Sequence, residues 1–242
     1  MSPTDAIPFL VALVLGTFTV IRMPSLLKGQ NVPLWIAHAL IVVCLLLAVT
    51  PLYVAIDHSL GGTNITNLIS HLAFNLVFLA GCRQVAQSVD RPDLVRKVSR
   101  GAGLLMLFGA SLLTVAFFVL ADTPVISMGL NMYRGDAWVV AYKAVSFVYP
   151  AYCSAVLVPM LFSEARNTGT PRIHRWAKGM MAAGFLLVVP VPAIHLAEFA
   201  SVTARVWVDV FLYTAILLVA IGPFLAFVAR KRNSHGRKRA TA

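Results

Sequence analysis

Long apolar runs recur along the chain with only short polar connections between them. They cover Ala6 to Ile21, Leu34 to Tyr53, Ile65 to Cys82, Gly101 to Ala121, Trp138 to Phe162, Gly179 to Phe199 and Trp207 to Ala229. About 20 apolar residues in a helix cross the roughly 30 Å hydrocarbon core of a bilayer. Unsatisfied polar groups cost several kcal/mol each in hydrocarbon, which favours helices that bond their own backbone. The chain therefore reads as an all-α membrane protein with seven transmembrane helices. Only 12% of its 242 residues are charged and 59% are hydrophobic, whereas a soluble domain is about 25% charged. Residues 1–229 form one seven-helix transmembrane domain in this reading, and 230–242 a basic cytoplasmic tail.

Charge placement orients the bundle. The connections after the first, third and fifth runs, together with the tail, hold 17 of the 20 Lys and Arg residues, and only Arg134, Lys143 and Arg205 fall on the other side. Acids reverse the bias: Asp5, Asp57, Asp122, Asp136, Glu198 and Asp209 lie on the basic-poor side. Positive charge collects in cytoplasmic loops, so the N-terminus is expected outside and the C-terminus inside. No basic residue precedes the first run and Arg22 follows it, the reverse of a secretory signal. The first run is thus expected to be a retained span facing lipid. The tail has no aromatic residue for stacking on bases, so it reads as an anchor on anionic lipid headgroups rather than a nucleic-acid binder.

One run carries a polar stripe. Asn67, His71 and Asn75 recur every four residues and share one helix face, with Asn75 about 12 Å deeper than Asn67 at the helical rise. Lys143, His195, Glu198 and Asp209 fall in the same half of their runs. Two readings stand. In one, these seven residues line a polar cavity among spans three, five, six and seven, because ionisable groups within spans mark substrate or proton paths. Prolines 150, 159, 190 and 192 add broken helices of the kind that line transporter sites. In the other, the stripe is interhelical glue and Lys143, Glu198 and Asp209 sit in interfacial water. Tyr142, Ser146 and Tyr149 form a further stripe on span five. Gly103, Gly109, Ala110 and Ser111 on span four are small enough for close helix approach.

Other chemistry finds less support. His71, His195, Glu198 and Asp209 include zinc- or iron-type ligands, but no short metal motif is present. The nucleotide-binding and hydrolase signatures are missing, span seven has no lysine for a retinal Schiff base, and Cys44, Cys82 and Cys153 read as packing residues. No catalytic residue, metal or cofactor is assigned, and the chain is not read as an enzyme. Asn64-Ile65-Thr66 fits a glycosylation acceptor or, more simply, a helix start capped by Thr63 or Asn64. Asp90 and Pro92 suggest that a helix begins before span four.

The segment Leu45 to Leu72, with Thr50, Pro51, Ile56, Asp57, Asn67, Leu68 and His71, resembles a group of actinobacterial multi-pass proteins classed as transporters. The run from Trp138 to Tyr152 and the basic loop after span five resemble that group's layout. The resemblance implies a bacterial plasma-membrane protein. Members often carry a further cytoplasmic C-terminal domain, which is not expected here, so a cytoplasmic regulatory protein is the partner it suggests. The function expected is transport of a small molecule or ion through a polar site in the outer half of the bundle. The alternative is a non-catalytic receptor or regulatory scaffold acting through its basic cytoplasmic loops.

Overall fold

A computed structural model describes residues 3–29, 32–199 and 201–240. The side chains of Arg205 and of residues 228–242, hence of the basic tail, lie outside the described residues. Every regular element among the described residues is helical: α1 Pro3–Ile21, α2 Met23–Leu27, α3 Val32–Leu47, α4 Thr50–Ser59, α5 Ile65–Ser88, α6 Pro92–Ser99, α7 Ala102–Leu120, a 3-10 turn Met128–Tyr133, α8 Ala137–Ser146, α9 Val148–Arg166, α10 Arg172–Val188, α11 Val191–Ala197 and α12 Val202–Ala240.

Five helical stretches are long and apolar enough to cross a membrane: Ile65–Ser88, Pro92–Leu120, Ala137–Arg166, Arg172–Ala197 and Val206–Phe227. Counting the bent pair α3–α4 as one span makes six, and Asp5–Ile21 is a shorter apolar helix. This is a multi-pass membrane architecture. Its outward apolar surface fits that solvent: Leu105, Phe108, Leu112 and Val119 on α7 are 68–75% exposed. By contrast Ala137–Arg166 is the most enclosed stretch and packs on α5, α7, α10 and α11.

Prolines set the breaks. Span two, expected as one helix from Leu34 to Tyr53, instead stops at Leu47 and turns by 92° into α4. Pro51 lacks the N–H that would continue the α3 ladder but suits a first helical turn, so the chain breaks at Val49, which is extended, and α4 starts afresh at Thr50. Pro150 removes the helical bond to Ser146, and α8 ends there, with Phe147 at φ −100° and ψ 0° before α9. Pro190 and Pro192 likewise separate α10 from α11. The expected helix before span four is α6, started by Pro92 at its first turn. The carbonyls of Lys97 and Val98 at its end accept hydrogen bonds from Tyr152 and Tyr149 of α9 at 3.0 and 2.9 Å. That satisfies groups a helix end would otherwise leave open.

The closest helix approach is not on span four. A Cβ on Gly109 would meet nothing within 4 Å, and one on Gly103 would meet only the adjoining α6 backbone. Gly184 and Gly222 instead let α10 and α12 touch: a Cβ at Gly222 would sit 2.7 Å from the Ala177 carbonyl oxygen and one at Gly184 2.9 Å from that of Ala215. The largest core joins α5, α6, α7, α9, α10 and α12, and a second joins α1, α3 and α12 through Val11, Leu15, Leu45 and Ile216. α1 is therefore only partly a lipid-facing helix.

At the end of the bundle where α1 begins, a polar clasp closes the connections. Asp57, in the connection between the second and third runs, is fully buried. Its carboxylate accepts from the backbone N–H groups of Asn64 and Thr66 at 2.8 and 3.0 Å, capping α5 from α4. Asn64 caps nothing with its side chain and adopts φ 61°. Its amide donates to the Thr123 and Val125 carbonyls and accepts from Tyr53 Oη and Ser127 N. With no exposure and every amide position used, Asn64 is a structural stitch and not a glycosylation acceptor. Asp5 ties α1 to this end by accepting from Thr50 N and Oγ1 at 3.0 and 2.6 Å.

Candidate functional site

Three cavities lie in file through the bundle. The first, about 400 Å³, opens below the polar clasp and is lined among others by Cys44, Tyr53, Asn67, His71, Lys143, Phe147, His195, Glu198 and Asp209. The second is a narrow apolar neck of about 80 Å³. It shares Ile41, Phe74, Leu212 and Ile216 with the first. The third, about 520 Å³, shares Leu34, Val85 and Pro223 with the neck and carries Arg22, His174, Lys178, Gln84 and Ser88. We call the first the upper cavity and the third the lower one.

The upper cavity gathers six of the seven expected polar residues: Asn67, His71, Lys143, His195, Glu198 and Asp209. Asn75 is the exception. It is 1% exposed, does not line the cavity, and neither its amide nitrogen nor its oxygen has a hydrogen-bond partner. One turn below His71, Phe74 already begins the neck, so the stripe enters packed protein before reaching Asn75. The span-five stripe also separates. Tyr142 donates to Asn67 Oδ1 at 3.3 Å, Ser146 to the carbonyl of Lys143 and Tyr149 to α6, and none of the three lines the cavity.

Two of the three charges, Lys143 and Glu198, are not in interfacial water, while Asp209 is half-buried. Lys143 and Glu198 are 5% and 9% exposed. Glu198 places one carboxylate oxygen 3.5 Å from Lys143 Nζ and the other 2.7 Å from His195 Nδ1. A carboxylate can only accept, so Nδ1 carries the hydrogen and donates. The break after α10 makes this possible, because α11 is a short segment whose end sets Glu198 just past His195 and across from α8. A buried charge of this kind is tolerated only when paired and hydrogen-bonded. Phe147, at the break between α8 and α9, lies against both His71 and His195 with ring centroids 5.5 and 5.1 Å apart.

Four buried polar atoms on residues lining this cavity have no protein partner: Asn67 Nδ2, His195 Nε2, Asn131 Oδ1 and Arg134 Nε. Native interiors leave few such atoms without a reason. Asn131 and Arg134 come from the 3-10 turn and its end, which fold over the cavity because Asn64 grips residues 123–127. No local periodicity could flag them. No group of three or more His, Cys, Asp or Glu among the described residues is placed to hold a metal ion, so His71, His195, Glu198 and Asp209 do not assemble a ligand set.

The lower cavity is basic by contrast. Arg22 spans from α1 to α12, donating through Nη2 to the Pro223 carbonyl at 2.6 Å with its guanidinium 5.3 Å from the Phe227 ring. Lys178 pairs with Glu164. The buried thiols Cys82 and Cys153 are unlinked, and Cys82 lies in the neck while Cys44 lies in the upper cavity. No family model, curated protein or solved structure matches this chain.

Proposed function

We propose that the chain is a transporter of a small polar solute, with the upper cavity as its binding site and the apolar neck as its closed gate. The single observation that carries this reading is the file of three cavities, polar at one end, apolar in the middle and basic at the other. A receptor needs a ligand pocket but has no use for a second cavity aligned with it across the bundle. Broken helices at Phe147 and at Pro190 support the same reading, since discontinuous helices at the site supply backbone that can rearrange between states.

In this proposal all seven apolar segments cross the membrane, with α1 and the bent α3–α4 pair as the two irregular spans. The N-terminus is outside and the C-terminus cytoplasmic, as the placement of Lys and Arg favours. The upper cavity is then open to the extracytoplasmic side and the basic end meets anionic lipid headgroups. The bacterial plasma membrane as location follows from the resemblance of residues 45–72 to the actinobacterial transporter group. The chain acts as a carrier and not as an enzyme.

Reconstitution into liposomes tests the reading. Counterflow of a panel of small polar solutes is expected in the native chain and is expected to fall to background in Ile216→Trp, which fills the neck. Absence of flux for the whole panel, with a cytoplasmic protein copurifying through the basic loops, would favour the receptor or scaffold alternative instead.

A further inference from the structure

The four unpartnered atoms of the upper cavity define what it would hold. Asn67 Nδ2 and Arg134 Nε are fixed donors and Asn131 Oδ1 is a fixed acceptor. His195 Nε2 changes character with its proton. Its Nδ1–H is committed to Glu198, so neutral His195 offers a lone pair at Nε2 and protonated His195 offers an N–H. Asn67 and His195 are 6% and 7% exposed, and the protein offers neither atom a partner. A carboxylate oxygen pair accepts up to about four hydrogen bonds, which suits two fixed donors and a third gained on protonation.

Charge points the same way. Glu198 is already matched by Lys143, so a proton on His195 adds a positive charge that the protein's own pair does not cancel. Arg134, just past the 3-10 turn, is offset by Asp209 of α12, so that proton leaves the cavity with one net positive charge. Facing His195 from the other elements are His71 of α5, Tyr53 of α4, and Asp209 and Tyr213 of α12. Asp209 and Tyr213 each make an interaction of their own as well. His71 is held edge-on by the Tyr142 and Phe147 rings.

We propose that the upper cavity binds a small organic carboxylate bearing a hydroxyl group together with one proton, the proton adding to Nε2 of His195. The proton comes from solvent on the extracytoplasmic side and adds to the imidazole lone pair, and no covalent bond of the solute is made or broken. The carboxylate takes the donors of Asn67, Arg134 and protonated His195, and its hydroxyl donates to Asn131 Oδ1. This deepens the transport reading and rests on it for the role of the cavity, but binding can be measured without transport.

The test is calorimetric titration of the full chain in detergent micelles with sodium lactate at pH 5.5 and 7.5. Each titration is done in two buffers of different ionisation enthalpy, with propionate and glycerol as comparison solutes. The expected result is lactate binding about tenfold or more tighter at the lower pH, with about one proton taken up per lactate at pH 7.5. Propionate should bind about threefold or more weaker, because it lacks the hydroxyl, and glycerol should not bind. His195→Gln should abolish the proton uptake, and Asn67→Asp, which exchanges a donor for a like charge, should weaken lactate at both pH values. No lactate binding at either pH, binding without proton uptake, or uptake that persists in His195→Gln would overturn the proposal. If His195→Gln does not fold, proton uptake by the native chain and the loss in Asn67→Asp decide it. Proton-linked binding with no flux in liposomes would sink the transport reading alone, and flux without proton uptake would sink this one alone.

Discussion

The two ends of the bundle handle charge in opposite ways. At the upper end Lys143 and Glu198 are drawn into the interior, with side chains 6% and 4% exposed, and are held by one another and by His195. At the lower end Lys178 and Glu164 make the corresponding pair with side chains 24% and 35% exposed. The upper end thus holds an organised polar interior built on Lys143, Glu198 and His195. At the lower end the Lys178–Glu164 pair lies on a basic rim where charge is less costly, although Arg22 behind it is 8% exposed and held by the Pro223 carbonyl. The difference teaches that burial of an ion pair is poor evidence of stabilisation, so the upper pair is where the proposed transport role predicts effects beyond stability.

The comparison can be broken most sharply by removing one acid from each pair. Glu198→Ala removes the buried carboxylate that Lys143 and His195 share and is expected to destabilise the protein by about 3–5 kcal/mol, read as loss of thermal stability in detergent. Next in size is Asp57→Ala, which strips the α5 N-terminus of the acceptor for two buried N–H groups. Each such group costs about 1–3 kcal/mol, and retention of the native thermal midpoint would refute the role of the clasp. Gly222→Leu should cost about 1–3 kcal/mol through overpacking against Met181 and Ala177, whereas Gly109→Leu should leave stability unchanged. Smallest is Glu164→Ala, expected below about 1 kcal/mol because that pair is half open to solvent. Equal losses in Glu198→Ala and Glu164→Ala would erase the distinction between the ends.

Much of the bundle is legible from hydropathy, because lipid allows so few backbone solutions. Each apolar run is helical, although the second, fifth and sixth are each broken into two helices, and the pairing of Asn67 with His71 on one face follows from helical periodicity alone. What local reasoning misses is where that face meets protein. Asn75 obeys the same four-residue spacing, yet it sits beside the start of the neck, and only the packing of Phe74 and Leu212 decides this. Lys143 and Glu198 read as interfacial because each is near the end of a run. Their burial depends on the helix breaks at Phe147 and Pro190, which bring α8 and α11 together. Asn131 and Arg134 carry no helical pattern, and their position over the cavity depends on Asn64, 63 residues before Ser127 in the chain. The proline signals were readable as breaks, but their angles were not. The 92° turn after α3 reflects the whole clasp of Asp5, Thr50, Asp57 and Asn64.

The central claim is that the upper and lower cavities are two vestibules of one path closed by an apolar neck, and the protein carries its own probes for it. Cys44 lines the upper vestibule, Cys82 is 1% exposed in the neck, and Gln84, as Gln84→Cys, reports on the lower one. A charged, membrane-impermeant thiol reagent is added to either side of oriented vesicles and the modified residue is identified by mass spectrometry. The account predicts Cys44 modified only from the extracytoplasmic side, Gln84→Cys only from the cytoplasmic side, and Cys82 protected at rest from both. Cys44 inert from both sides, or Cys82 modified as fast as Cys44 in the resting protein, would contradict it.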